Sequence, residues 1–170
     1  MMKELGVLFF EEHVVPEDRE GYRKVRAENP IAVAGGECEF TRYGFRDFIA
    51  SGCVDIVQPD LAVCGGFTAF TQILALANSW GVATVPHVWG SGIAVAAALH
   101  AVATIPAFPF TANAVPLVNQ PVIEFDRKHN PLRDDLLHQR FELIDGCLAV
   151  PDAPGLGVTV RDDILNQYAY

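Results

Sequence analysis

Short apolar runs recur along the chain, each closing on a polar, chemically capable residue. Val7–Phe10 leads into Glu11, and Ile31–Ala34 into Gly35-Gly36-Glu37. Val54–Val57 leads through Gln58-Pro59 into Asp60, and Val82–Val85 through Pro86 into His87. Runs of four apolar residues suit strands buried on both faces. Between the runs the apolar spacing becomes helical. Pro16 and the acidic residues after it start a helix over Glu17–Glu28, which Asn29-Pro30 stops. Thr41 is the expected N-cap of a second helix, with Tyr43, Phe45, Phe48 and Ile49 on its apolar face and Ser51-Gly52 at its end. Phe67–Trp80 places Phe70, Ile73, Leu74 and Ala77 at i, i+3, i+4, i+7 spacing. Gly92–Thr104 reads as an alanine-rich buried helix.

The rhythm loosens after Ile105. Pro106, Pro109 and Pro116 mark a loop leading to a last expected strand near Val122-Ile123-Glu124. From Asn130 the pattern is that of a tail outside the repeats. It holds a turn or short helix at Pro131–Leu137, a hairpin at Phe141–Val150, a loop at Pro154–Gly157 and a short helix at Asp162–Tyr168. The division is therefore 1–130 for the repeats and 131–170 for the tail.

Strands alternating with helices predict an α/β protein with a parallel sheet. Glu11, Glu37, Asp60 and His87 are 26, 23 and 27 residues apart, one strand and one helix each time. An open doubly wound sheet and a piece of a (β/α)8 barrel both fit that rhythm. The open sheet carries its site only beside the switch point. Here every strand end carries a candidate, which is the habit of a barrel's C-terminal face. About five βα units do not close a barrel, so the expectation is the later part of one.

Composition narrows the function. The chain has 170 residues, 51% hydrophobic and 19% charged, with a net charge of −9 and no basic stripe or cluster. That argues against a nucleic-acid partner. Cys38, Cys53, Cys64 and Cys147 show no metal-ligand spacing and read as reduced thiols of a cytoplasmic protein. Leu5–Phe10 is too short for a signal-peptide core. The apolar stretch Gly81–Ile105 is broken by Pro86, His87 and glycines, which excludes a membrane span.

Glu11 and Glu37 are carboxylates at adjacent strand ends, and hard oxygen donors on one rim suit Mg²⁺. The plain alternative is a pair of solvated loop acids. Glu12 is expected on the opposite side of the strand. Asp60 and His87 sit on neighbouring strands about 4.8 Å apart, so Asp60 can fix the imidazole tautomer and make His87 a general base. The alternative is a core-edge histidine bonded to a carbonyl. His13, His100, His129 and His138 read as bystanders. A metal beside a histidine base suits removal of a proton α to a carboxylate, a pattern the enolase superfamily exemplifies. Glu124, if protonated, would donate to the resulting enediolate oxygen; otherwise it is a surface acid in the charged run to Lys128. Gly65-Gly66 reads as a tight strand-to-helix turn in preference to an anion seat.

The segments FFEEHVVPED, IAVAGGECEFTRYGFRDF, VDIVQPDLAVCGG, TVPHVWGSGIAVAAALH, VIEFDRKHNPLRDDLL and VPDAPGLGV carry a resemblance to mandelate racemase/muconate lactonizing enzyme-type members of the enolase superfamily, in their C-terminal half. It implies a TIM-like barrel, Glu11 and Glu37 as Mg²⁺ ligands, Asp60–His87 as a dyad with His87 as base, and Glu124 as the electrophilic partner. The GGE, QPD, CGG and NPLRD elements are more similar to acid-sugar dehydratases than to muconate cycloisomerases, which implies a small carboxylate substrate. Members of that family also carry an N-terminal capping domain and earlier barrel strands supplying a third metal ligand and often a lysine base. None of these lies within the 170 residues, and His13 stands where a proline is usual. The expectation is thus a truncated or excised portion. Its tail would pack on the barrel or the cap side, and a homo-oligomer or a missing N-terminal portion would cover its open edges. Besides the dehydratase, two readings remain: a racemase or cycloisomerase, and a non-catalytic structural or complementing subunit.

Overall fold

Four strands, β1 (Phe9–Glu11), β2 (Ala32–Gly35), β3 (Ile56–Val57) and β4 (Ala83–Thr84), pair side by side in chain order, all parallel. The structure, a computed structural model, describes residues 3–106 and 121–169. Glu11 lies opposite Ala34, Ala34 opposite Ile56, and Ile56 opposite Ala83. The order never reverses, as a doubly wound sheet's would, so the barrel reading holds.

Side chains alternate across a strand, and the alternation sorts two cores. On one face Val33 and Val57 pack with Tyr22, Phe45, Phe48 and Phe70 beneath the helices. On the other, Ala34, Ile56, Ala83 and Val85 pack with Phe9 and Val122. The covering helices are α1 (Arg19–Glu28), α2 (Thr41–Ala50), α3 (Leu61–Cys64), α4 (Gly66–Ser79) and α5 (Gly92–Val102). The side chains of Asp18 and Ser91 cap α1 and α5. No helix among the described residues is long and apolar enough to cross a membrane.

Some elements differ from expectation. Thr41 is the first residue of α2, and Phe40 occupies the cap position; with φ of 57°, Thr41 still accepts the Tyr43 N–H on Oγ1 at 3.3 Å. An extra helix, α3, forms between Asp60 and Gly65, because the Asp60 carboxylate caps it at Ala62 N. Gly65, at φ 111°, then joins α3 directly to α4, which is the tight-turn role. The segment Val122–Glu124 forms no ladder among the described residues; Pro86 and Pro121 both lack the N–H a ladder needs. Of the expected proline loop, Pro109 and Pro116 lie outside the described residues.

Beyond residue 130, α6 (Pro131–Asp134) and α7 (Asp162–Gln167) flank irregular chain. Ile123, Phe125, Phe141 and Leu148 pack on Val95, Ala98 and Leu99 of α5. A β-carbon at Gly92 would sit 2.8 Å from the Arg133 carbonyl, so glycine permits α6 to approach the start of α5. His100 bonds the Leu156 carbonyl at 3.2 Å, holding the tail against α5.

Candidate functional site

Asp60 and His87 meet at the C-terminal ends of β3 and β4. Ile56, Gln58 and Asp60 follow one another at period two, as do Ala83, Val85 and His87. Both residues therefore emerge on the face that carries the small-residue core. Asp60 Oδ2 lies 2.8 Å from His87 Nδ1, and Oδ1 accepts the Ala62 N–H at 2.6 Å. An ionised carboxylate only accepts, so beside it Nδ1 carries the proton and Nε2 is left as the basic nitrogen. The Asp60 side chain is 6% exposed and that of His87 17%. Burial pulls the His87 pKa down. The Asp60 hydrogen bond and the charges of Glu124, Glu37 and Asp60 outweigh burial and leave it above its ordinary value.

Two further carboxylates face that nitrogen. Glu37 Oε2 is 3.4 Å from Nε2 and Glu124 Oε2 is 4.0 Å away. Glu124 Oε2 also accepts the Val88 N–H at 3.0 Å. Burial pushes the Glu124 carboxyl up to about 7. The Val88 N–H pulls it back, the neighbouring Glu11 carboxylate raises it further and His87 lowers it. The net direction is upward, toward the protonated form that a proton donor needs.

Glu11, at the end of β1, accepts from the amide of Gln58, whose Nε2 also reaches Glu124 Oε1 at 3.1 Å. The structure therefore gathers Glu37, Asp60, His87 and Glu124 directly and ties in Glu11 through Gln58. Glu12 turns to the helix side of β1. At φ 42° it accepts the Gly36 N–H on Oε1 at 2.9 Å, and it lies beside the buried Tyr22. Burial first, and Glu12 second, push the Tyr22 hydroxyl above its usual range. His13 packs edge-on against Tyr22 at 4.7 Å, away from the rim.

The glycine pair before Glu37 is a requirement of close packing. A β-carbon at Gly35 would meet the Tyr22 hydroxyl at 2.8 Å and Glu12 at 2.9 Å. Gly36, at φ 114°, holds a conformation open to glycine and faces Phe45 and Phe48. These contacts turn the chain so that Glu37 projects over the sheet end.

Among the described residues no group of three His, Cys, Asp or Glu side chains is arranged to hold a metal ion. Glu11 and Glu37 remain two hard oxygen donors on adjacent strand ends. As a donor set they fit part of the octahedral shell of Mg²⁺, a cation that keeps several waters.

Sequence reasoning passed over Gln58, which is fully buried. Its signal was a polar side chain two residues before Asp60, hence on the same face.

Comparison with known proteins identifies the family. The family whose model matches residues 1–164 is described as Enolase C-terminal domain-like. D-galactarolactone cycloisomerase of Agrobacterium fabrum is 45% identical over 163 residues, covering 96% of this chain and 42% of that protein. Arabinonate dehydratase of Saccharolobus solfataricus is 32% identical, covering 98% of this chain and 41% of the relative. The crystal structure of the 3,6-anhydro-D-galactonate cycloisomerase from Zobellia galactanivorans superposes with a TM-score of 0.84 at 41% identity, covering 98% of this chain and 44% of that one. The chain spans about two fifths of the length of the curated relatives it matches.

Proposed function

The chain belongs to the Enolase C-terminal domain-like family, and from that premise we propose that it carries the proton-transfer part of a site that eliminates a group β to the carboxylate of a sugar acid. The observation that carries the reading is the Asp60–His87 pair at 2.8 Å, its free nitrogen directed at Glu37 and Glu124.

In this reading His87 Nε2 takes the proton α to the substrate carboxylate. Asp60 holds the ring by Nδ1 and stabilises the imidazolium that forms. Electron density moves onto the carboxylate oxygens as an enediolate, and Glu124, protonated, donates a hydrogen bond to one of them. The bond to the β-oxygen then breaks, and a proton from the imidazolium can go to the departing oxygen. The enol that remains becomes the 2-keto product. Glu11 and Glu37 would hold Mg²⁺, which supplies positive charge against the carboxylate and enediolate oxygens.

The motifs favour a hydroxyl as leaving group, which is dehydration. The 45% identity to a lactone cycloisomerase, against 32% to a dehydratase, favours a ring oxygen instead. Both share the α-proton step. The test is a screen of D-galactonate, D-arabinonate, D-galactarolactone and 3,6-anhydro-D-galactonate with Mg²⁺ for 2-keto products, alongside calorimetric titration of Mg²⁺. Product from at least one, lost in His87→Asn, is the expected result; no product from any rejects the activity for this chain.

A second reading, a non-catalytic subunit that complements another chain, is favoured by the two-donor metal set among the described residues. It predicts no Mg²⁺ binding by the chain alone and an association that covers the β1 edge. A monodisperse monomer in light scattering counts against it.

A further inference from the structure

Gln58 is a buried polar residue at the site that the reaction scheme leaves without a task. It continues β3 on the face of Ile56 and Asp60, is fully buried, and donates one amide nitrogen to two carboxylates, Glu11 and Glu124. Glu124 comes from a segment that makes no ladder with the sheet among the described residues. Its carboxyl group accepts two hydrogen bonds, Val88 N–H on Oε2 at 3.0 Å and Gln58 Nε2 on Oε1 at 3.1 Å, and lies beside the Glu11 side chain. One donor follows His87 in the chain, and the other precedes Asp60 on its strand. Donors on both oxygens fix the plane of the carboxyl and leave Oε2 turned to His87 Nε2 at 4.0 Å.

Gln58 is poorly explained as packing. Its Oε1 is buried and has no partner among the described residues. A methionine of similar shape would avoid leaving that oxygen unpaired. We propose that Gln58 is a positioning residue that ties Glu11 and Glu124 to the strand bearing Asp60, so that the acid Glu124 stands opposite the base His87. The proposal rests on the reading in which Glu124 faces the substrate.

The test uses the full chain and begins with the unaltered protein. The Gln58 side-chain amide protons, followed by NMR with ¹⁵N-labelled glutamine, should exchange slowly with solvent. Slow exchange supports the proposal, and exchange as fast as that of exposed glutamines overturns it, even if every variant fails to fold. In Gln58→Met, Glu124 loses one of its two anchors, and the Val88 amide should exchange about tenfold faster while the melting temperature holds. Unchanged Val88 exchange in a folded Gln58→Met protein overturns the proposal. With a turned-over sugar acid, kcat should fall about tenfold or more with KM nearly constant, a split that a purely structural role would not give. Should the unaltered chain turn nothing over, faster Val88 exchange still supports the positioning of Glu124, and it is the functional reading that fails.

Discussion

Asp60 performs two tasks with two oxygens, and replacing it separates them. Oδ1 caps α3 at Ala62 N and Oδ2 holds His87 Nδ1, with the residue only 4% exposed. In Asp60→Ala both are lost. A missing N-cap costs about 1 kcal/mol, and a half-buried imidazole N–H without its acceptor costs about 1–3 kcal/mol more. The expected loss is about 2–4 kcal/mol, or roughly 5–15 °C in Tm for a chain of this size. Asp60→Asn keeps an equally good cap through its one carbonyl oxygen and turns its NH₂ toward Nδ1, which then accepts as the other tautomer, so its loss should stay well below that of alanine, at about 1 kcal/mol. It does remove the negative charge beside the ring. The His87 pKa, raised in the folded protein, should therefore fall in Asp60→Asn, as read from imidazole NMR shifts in metal-free protein. The sign follows from linkage. A raised histidine pKa stabilises the fold fully below the unfolded value of about 6.5 and loses that contribution as pH rises through the folded value. The stability gap between the unaltered protein and Asp60→Asn should thus be wider at about pH 5.5 than at pH 8.5. Urea melts at the two pH values, with thermal melts of both variants, supply the readout. If alanine and asparagine cost the same, or if His87 titrates unchanged in Asp60→Asn, the double role is wrong.

Other perturbations address the frame around the site. Phe48, 1% exposed, packs edge-on to Tyr22 at 5.1 Å and lies beneath the Arg19 guanidinium at 4.4 Å; Phe48→Ala should cost about 3–5 kcal/mol in urea unfolding. Gly36→Ala combines a φ of 114° with a β-carbon 3.1 Å from Phe45. It should cost about 1–3 kcal/mol and weaken Mg²⁺ binding in calorimetry by displacing Glu37. Arg133, 7% exposed, bonds the Lys128 carbonyl, Asp134 at 2.8 Å and Asp126 at 3.4 Å. Asp134 is about a third exposed, so Arg133→Met should cost about 1–3 kcal/mol, below the figure for a fully buried pair, with faster hydrogen exchange beyond residue 130. The Arg133 hydrogen bond holds the Asp134 carboxyl below its ordinary value. That contribution is present above the unfolded carboxylate pKa and lost as pH falls through the folded one, so the deficit of Arg133→Met should shrink in acid.

Much of this site was legible because strand ends are marked twice over. An apolar run signals the strand, and the polar residue that closes it signals the rim. Hence spacing singles out Glu11, Glu37, Asp60 and His87 as candidates at the strand ends, and the parallel sheet with them. Glu124 was named as the end of an expected strand, but Val122–Glu124 forms no ladder among the described residues and its carboxyl is placed by side-chain and loop donors. Gln58 escaped notice because an amide inside an apolar strand carries no charge to flag it. The cap function of Asp60 escaped too: α3 is four residues long and has no periodicity to read. Nor could spacing show that Gly35 and Gly36 are demanded by Tyr22, Glu12, Phe45 and Phe48, since those contacts join four separate elements.

The central claim is that His87 removes the proton α to the carboxylate of a sugar acid, and it can be measured at that hydrogen. With Mg²⁺ in D₂O, proton NMR follows the hydrogen on the carbon beside the free carboxylate of D-galactarolactone (C2–H, counting that carboxylate as C1) and the deuterium content of substrate and product. The account predicts loss of the C2 proton to solvent, at a rate that His87→Asn reduces by about 10²–10⁴-fold while its fold and melting temperature persist. Exchange that continues unabated in folded His87→Asn, or a product that keeps its original C2 proton, would contradict it.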